Sequence, residues 1–117
     1  MKSFILLENI EIYARHGVFN QETLVGNTFI INLKAEVDCE AACLNDDLNA
    51  TVDYGEIYRV VEEEMATPSK LLEHVAYRIV KRLKSEFKQI KTVELKISKL
   101  NPPIKGQIDC ASVLLYD

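Results

Sequence analysis

Apolar and polar positions alternate with a period of two in several stretches of this chain and recur with a helical period in two others. Phe4 to His16 carries a strand signal, with Ile10 and Ile12 flanked by Asn9 and Glu11. Phe29 to Asp38 alternates cleanly, Phe29, Ile31, Leu33, Ala35 and Val37 falling on one face and Asn32, Lys34, Glu36 and Asp38 on the other. Gly17 to Asn27 lies between them as a loop, glycine-bearing toward both ends and polar through Asn20-Gln21-Glu22-Thr23. Together they read as an antiparallel hairpin. The loop is longer than a turn requires, and such loops often carry function.

Glu40 to Asn49 is an acidic connection with room for a short helical turn. Asp53 then reads as an N-cap, and Glu56 three residues on completes a capping-box pattern. Ile57, Val60, Val61 and Met65 form one helical stripe, with Tyr54 on the same face, near the helix start and partly inward. Thr67-Pro68 marks a second helix start, Pro68 suiting the first helical position. Its stripe is Leu72, Val75, Ala76, Ile79, Val80, Leu83 and Phe87, with His74, Arg78, Lys81 and Arg82 on the far side. Thr92 to Lys99 is the third strand, and Ile108 to Tyr116 the fourth after a turn holding Lys105-Gly106.

This ββααββ order predicts an α+β fold: a four-stranded antiparallel sheet with two antiparallel helices packed on one face. The last strand is apolar on both faces, Ala111, Val113 and Leu115 against Leu114 and Tyr116. In so small a chain the second cover is expected to come from another subunit.

Composition narrows the classes. The 117 residues suit one domain, 1–117, with a single core. A net charge of -4 argues against nucleic acid as the partner. The basic run Lys81, Arg82, Lys84, Lys88 and Lys91 is interleaved with apolar positions and reads as a solvated helix back. No apolar run approaches membrane-spanning length, and Glu8 comes too early for a signal-peptide core. Cys39, Cys43 and Cys110 cannot all pair within one chain, so reduced thiols in a cytoplasm are expected. His16 and His74 are the only histidines, and no cysteine or histidine pair has zinc-ligand spacing, so no metal is expected.

Three residues stand out chemically. Lys99 continues the inward parity of Val93, Leu95 and Ile97, and Asn101-Pro102-Pro103 stops the strand just beyond it in a rigid turn. An amine placed there is partly desolvated, a setting in which lysines serve as general bases; the plainer reading is a side chain snorkelling to water. Glu73 falls about 60° from the centre of its helix stripe, at the edge of the buried face, where a carboxylate needs a partner. It either closes an internal salt bridge or grips a ligand carrying N–H donors. Tyr54, at its helix start, is either packing or a phenol offered to a ligand.

His16-Gly17 with Glu22, Thr51-Val52-Asp53-Tyr54-Gly55-Glu56, Leu71-Leu72-Glu73 and Lys99-Leu100-Asn101-Pro102-Pro103-Ile104 occur in this order along the chain. In these motifs the sequence closely resembles the dihydroneopterin aldolases, folate-pathway enzymes of the tunnelling-fold superfamily, nearly end to end. The resemblance implies an aldehyde-lyase that splits 7,8-dihydroneopterin into 6-hydroxymethyl-7,8-dihydropterin and glycolaldehyde, with no cofactor and no Schiff base. It implies Lys99, Tyr54 and Glu22 as catalytic residues and Glu73 as the carboxylate that anchors the pterin. Leu72 and Val52 match positions whose backbone helps hold that ring.

The family assembles as rings of four, usually stacked as an octamer, their sheets joined into a β-barrel. Sites lie between subunits, so Tyr54 would come from a different copy than Glu73 and Lys99. The rival readings are a sibling epimerase of the same fold and a non-catalytic pterin-binding protein. Epimerases of this fold generally lack the features seen here as Tyr54-Gly55-Glu56 and Asn101-Pro102-Pro103. His16 and His74 are expected near the site or on the surface, not in catalysis.

Overall fold

In a computed structural model that describes residues 1–117, the chain runs β1 (Phe4–Ala14), α1 (Asn20–Val25), β2 (Asn27–Val37), α2 (Glu40–Asn45), a 3-10 turn at Leu48–Ala50, α3 (Tyr54–Met65), α4 (Leu72–Glu86), β3 (Ile90–Leu100) and β4 (Cys110–Tyr116). The strands form one antiparallel sheet in the order β1-β2-β3-β4. This is the expected α+β arrangement.

The register stacks the period-two rows. Ile31 faces Ile97, Leu33 faces Leu95 and Ala35 faces Val93 across the central pair, while Ile97 faces Val113 on the other side. These rows meet Ile57, Val60, Val61 and Met65 of α3 and Val75, Ala76, Ile79, Val80 and Leu83 of α4 in one apolar cluster. Fully burying each such side chain contributes about 1.5–3 kcal/mol, so the sheet-to-helix interface dominates the stability. On the opposite face Leu6, Leu114 and Tyr116 stay exposed, and no part of the chain covers them.

Ion pairs fix the helices antiparallel. Arg59, early in α3, reaches Glu86 at the end of α4 at 3.2 Å, and Glu64, late in α3, meets Arg78 at 2.7 Å. Arg82 joins Glu63 at 2.7 Å and Glu64 at 3.0 Å. Arg78 and Arg82 therefore bridge to the neighbouring helix instead of facing solvent, a contact that a single-helix projection cannot reveal.

Four local expectations change. The Gly17–Asn27 loop contains α1, because its last carbonyls find donors outside it: Arg15 donates to Thr23 at 3.0 Å, and the Tyr13 hydroxyl donates to Val25. Helix α4 begins at Leu72 and not at Pro68, because the Ser69 backbone is bonded away from the helix to His16 and Gly17. Asp53 caps α3 by accepting from the Gly55 N–H at 2.8 Å, but Glu56 turns forward to Arg59 at 2.8 Å and closes no capping box. Tyr54 is 69% exposed, not partly inward, since it precedes the first residue of the stripe that packs on the sheet. No helix is long and apolar enough to cross a membrane.

Candidate active site

Lys99 stands opposite Phe29 of β2 and Ala111 of β4, at the end of the inner row. Its side chain is only 12% exposed, and Nζ donates to Glu22 Oε2 at 2.6 Å. The strand end is held on both sides. The Asn27 side-chain amide donates to the Leu100 carbonyl, and Asn101 takes a φ of 49° ahead of the proline pair, turning the chain away.

Glu22 is fixed as firmly. Its other oxygen, Oε1, accepts from the Phe19 N–H at 3.2 Å, closing the first turn of α1. Gly17 lies flush against it, and a Cβ there would overlap the Glu22 side chain. Burial pulls the Glu22 pKa up, but the Lys99 hydrogen bond, the Phe19 N–H and the Lys99 charge outweigh it and hold the carboxyl below its usual range. The carboxylate is charged, and the pair presents a fixed donor beside a fixed acceptor.

His16 leads from this pair to the start of α4. The ring is buried, 1% exposed, with its edge on Phe29 at 5.3 Å. Nδ1 accepts from the Ser69 N–H at 3.0 Å, so the neutral ring carries its proton on Nε2. Burial first, then the nearby Arg78 charge, lower its pKa to about 4 against an opposing pull from the Met65 backbone. Nε2 makes no well-formed hydrogen bond, and the Met65 backbone is the polar group that acts on the ring's proton there. The only sign of this residue in the sequence is the His16-Gly17 dipeptide, and composition gives no reason to place it in the interior.

At the start of α4, Glu73 is exposed and makes no hydrogen bond or ion pair within the chain, so of the two readings open for it the internal salt bridge does not form. Leu72 beside it is half-buried. The helix bonds among main-chain groups begin with the His74 and Val75 amides donating to the Leu71 carbonyl at 3.1 and 3.4 Å. The Leu72 and Glu73 N–H groups, in the same first turn that carries the Glu73 side chain, have no acceptor within the helix. One edge of a flat heterocycle with both donors and acceptors fits this combination.

Val52 and Tyr54 are elsewhere. Thr51 Oγ1 touches Cys39 Sγ at 3.4 Å, and the Cys39 N–H donates to Ser3 Oγ at 2.9 Å, which puts this segment at the far end of β1 and β2. Val52 is buried and Tyr54 is exposed there. From Val37 at that end to Phe29 opposite Lys99 is a run of strand roughly 25 Å long at the usual rise. Within one chain the fold thus gathers Glu22, Lys99, Leu72 and Glu73 at one end and leaves Val52 and Tyr54 at the other. No three His, Cys, Asp or Glu side chains converge as metal donors.

A family model for dihydroneopterin aldolase matches residues 5–116. The chain belongs to the dihydroneopterin aldolase family. The dihydroneopterin aldolase of Staphylococcus epidermidis is 36% identical over 110 residues, 93% of this chain and 91% of that protein. The one from Bacillus subtilis is 34% identical over 110 residues, 93% and 92% of the two chains. Among solved structures, E. coli dihydroneopterin aldolase in complex with neopterin superposes with a TM-score of 0.90 at 19% identity, covering 98% of each chain. A Burkholderia thailendensis dihydroneopterin aldolase bound to guanine gives 0.80 at 19% identity, covering 99% of this chain and 90% of that one. The expected family and the expected aldehyde-lyase class both stand.

Proposed function

We propose that this chain cleaves the side chain of 7,8-dihydroneopterin by a retro-aldol reaction, yielding 6-hydroxymethyl-7,8-dihydropterin and glycolaldehyde for folate biosynthesis in the cytoplasm. The observation that carries the reading is the Lys99–Glu22 pair at 2.6 Å, at the same end of the fold as the unpaired Glu73 carboxylate. Neopterin and guanine, the ligands of two structural relatives, share an exocyclic amine beside a ring N–H. One carboxylate can accept from both, and Glu73 has the free oxygens to do so. The Leu72 N–H then serves the carbonyl edge of the ring.

With the pterin held by Glu73, its side chain extends toward Lys99 and Glu22. Lys99, in its neutral form once its own proton has passed to Glu22 or to water, takes the proton from the 2′-hydroxyl directly or through a water. The C1′–C2′ bond breaks, glycolaldehyde leaves, and the electron pair passes into the adjacent ring C=N to give an enol-type intermediate. Protonation at C1′, aided by Tyr54 and a water, completes the product. The ring itself takes up the electrons, so neither a metal nor a lysine Schiff base is required. Re-addition of glycolaldehyde to the same intermediate accounts for a side activity, epimerisation at C2′ to 7,8-dihydromonapterin.

The separation of Tyr54 and Val52 from Glu73 supports a site completed by a second copy. A ring of four chains, single or stacked as an octamer, with sheets joined into a barrel would do this. It would also give a cover to Leu114 and Tyr116, which are 63% and 66% exposed in the isolated chain. The test is incubation of the purified protein with 7,8-dihydroneopterin, following glycolaldehyde release. Release supports the reading; tight pterin binding without product would make the protein a binding module instead.

A further inference from the structure

The residues gathered at one end of the fold belong to different elements. Lys99 and Glu22 sit on β3 and α1, Leu72 and Glu73 on α4, and no hydrogen bond or ion pair joins one set directly to the other. The connection runs through residues 16 and 17. His16 Nδ1 accepts from the Ser69 N–H at 3.0 Å, and the Gly17 N–H donates to the Ser69 carbonyl at 3.0 Å, so both backbone groups of Ser69 are held. Ser69 lies three residues before the first residue of α4.

We propose that His16 is a positioning residue that sets the span between the Glu73 anchor and Lys99, so that a pterin gripped by one presents its side chain to the other. The proposal rests on the aldolase reading above.

Each end of the clamp is rigid. On the α4 side, Ser69 Oγ accepts from Arg78 Nη2 at 2.9 Å and meets His74 Nδ1 at 2.7 Å. Arg78 also donates to the carbonyls of Thr67 at 2.7 Å and Glu64 at 3.0 Å, so the linker cannot slide along the helix. On the sheet side, the His16 ring rests on Phe29, the residue opposite Lys99, and Gly17 rests on Glu22. A shift at position 16 would move one half of the site against the other. The ring's one well-formed hydrogen bond is made through Nδ1. What the ring adds over a leucine is the Nδ1 acceptor. Its lowered pKa keeps that acceptor unprotonated at neutral pH.

The grip of Leu72 and Glu73 on the ring edge is local to α4, whereas cleavage needs both halves in register, and a misplacement of about 1 Å can cost on the order of 10²-fold in rate. His16→Leu, which fills the space but lacks the acceptor, should lower kcat on 7,8-dihydroneopterin at least about tenfold while leaving the Kd for guanine, measured by calorimetry, within about twofold. His16→Asn, whose amide oxygen can occupy the Nδ1 position, should recover most of the lost kcat. A His16→Leu protein with kcat within about twofold of wild type would overturn the proposal, as would parallel loss of kcat and guanine affinity. If His16→Leu does not fold, the comparison passes to His16→Asn and His16→Gln, two amides differing in where they place the acceptor. Higher kcat for Asn at equal guanine affinity supports the clamp, and equal kcat overturns it. Wild-type protein in the same assay separates the two readings: no wild-type product defeats the aldolase reading, whereas normal wild-type product with an unaffected His16→Leu defeats the clamp alone.

Discussion

Tyr54 and Glu73 mark opposite ends of one antiparallel helix pair. Arg59, a turn beyond Tyr54, is paired with Glu86, and Glu86 stands about 20 Å along α4 from Glu73. No side chain spans that gap, so a small molecule touching both must lie between two copies. Tyr54→Phe and Glu73→Ala, each expected to form no product alone, should therefore complement each other. Dissociated, mixed in equal amounts and reassembled, they should regain roughly a quarter of the wild-type sites, since each intact site needs one wild-type residue from each neighbour. Recovery is read as 6-hydroxymethyl-7,8-dihydropterin formed per site, the step that needs Tyr54. A mixture as inactive as its components would mean that one chain supplies both residues.

Lys99→Ala removes the proposed base and leaves the pterin anchor untouched. It should lower kcat on the order of 10²- to 10⁴-fold, with the Kd for neopterin changing little. The variant also leaves Glu22 without its cation, so its stability should fall by about 1–3 kcal/mol, and folding is checked by urea denaturation alongside the kinetics. Near-normal turnover in a folded Lys99→Ala protein would remove Lys99 from the mechanism.

Glu73→Ala should show the opposite split. The carboxylate is exposed and has no partner in the chain, so stability should change by no more than about 0.5 kcal/mol. Two charge-assisted hydrogen bonds to a pterin, at about 1.5–3 kcal/mol each, would be lost, raising the Kd for neopterin on the order of 10²-fold or more. Calorimetry and a thermal melt on the same sample check both. Unchanged affinity would place the anchor on another residue.

These contrasts follow a division already visible in the sequence. The strands and the stripes of α3 and α4 were legible because each buries one face, and a one-sided burial imprints its period on the residues: Phe29 to Val37 alternate, and Ile57, Val60, Val61 and Met65 fall at helical spacing. Lys99 was legible for the same reason, by parity. Its partner was not, because Glu22 lies 77 residues earlier and no local rule links the two. Helix α1 left no stripe, since none of its residues is buried and its last carbonyls are held by Tyr13 of β1 and by Arg15 just beyond that strand. The late start of α4 and the interior place of His16 arise from one long-range contact, the capture of Ser69, which pattern reading cannot anticipate. Glu73 was placed at the edge of its stripe, but its lack of any internal partner emerged only from the fold.

That same capture gives a prediction independent of activity. Burial lowers the His16 pKa from 6.5 to about 4 in the folded chain, while the unfolded chain keeps the ordinary value. Between those values the unfolded state binds the extra proton, so stability rises with pH across the window and is lost as pH falls through it. His16 faces Arg78 and the more distant Lys99, both cationic there, and each adds to the cost of a charged ring. At 1.36 kcal/mol per unit, proton uptake by the unfolded chain should cost the fold about 3 kcal/mol between neutral pH and pH 4. His16→Asn has no such proton to take up. Urea unfolding of the two proteins at intervals from pH 7 to below that window should show wild type losing ground to the variant as pH drops, with carboxylate titration cancelling in the difference. Parallel curves would mean that the ring titrates as if in water, and that its place between Phe29 and Ser69 is wrong.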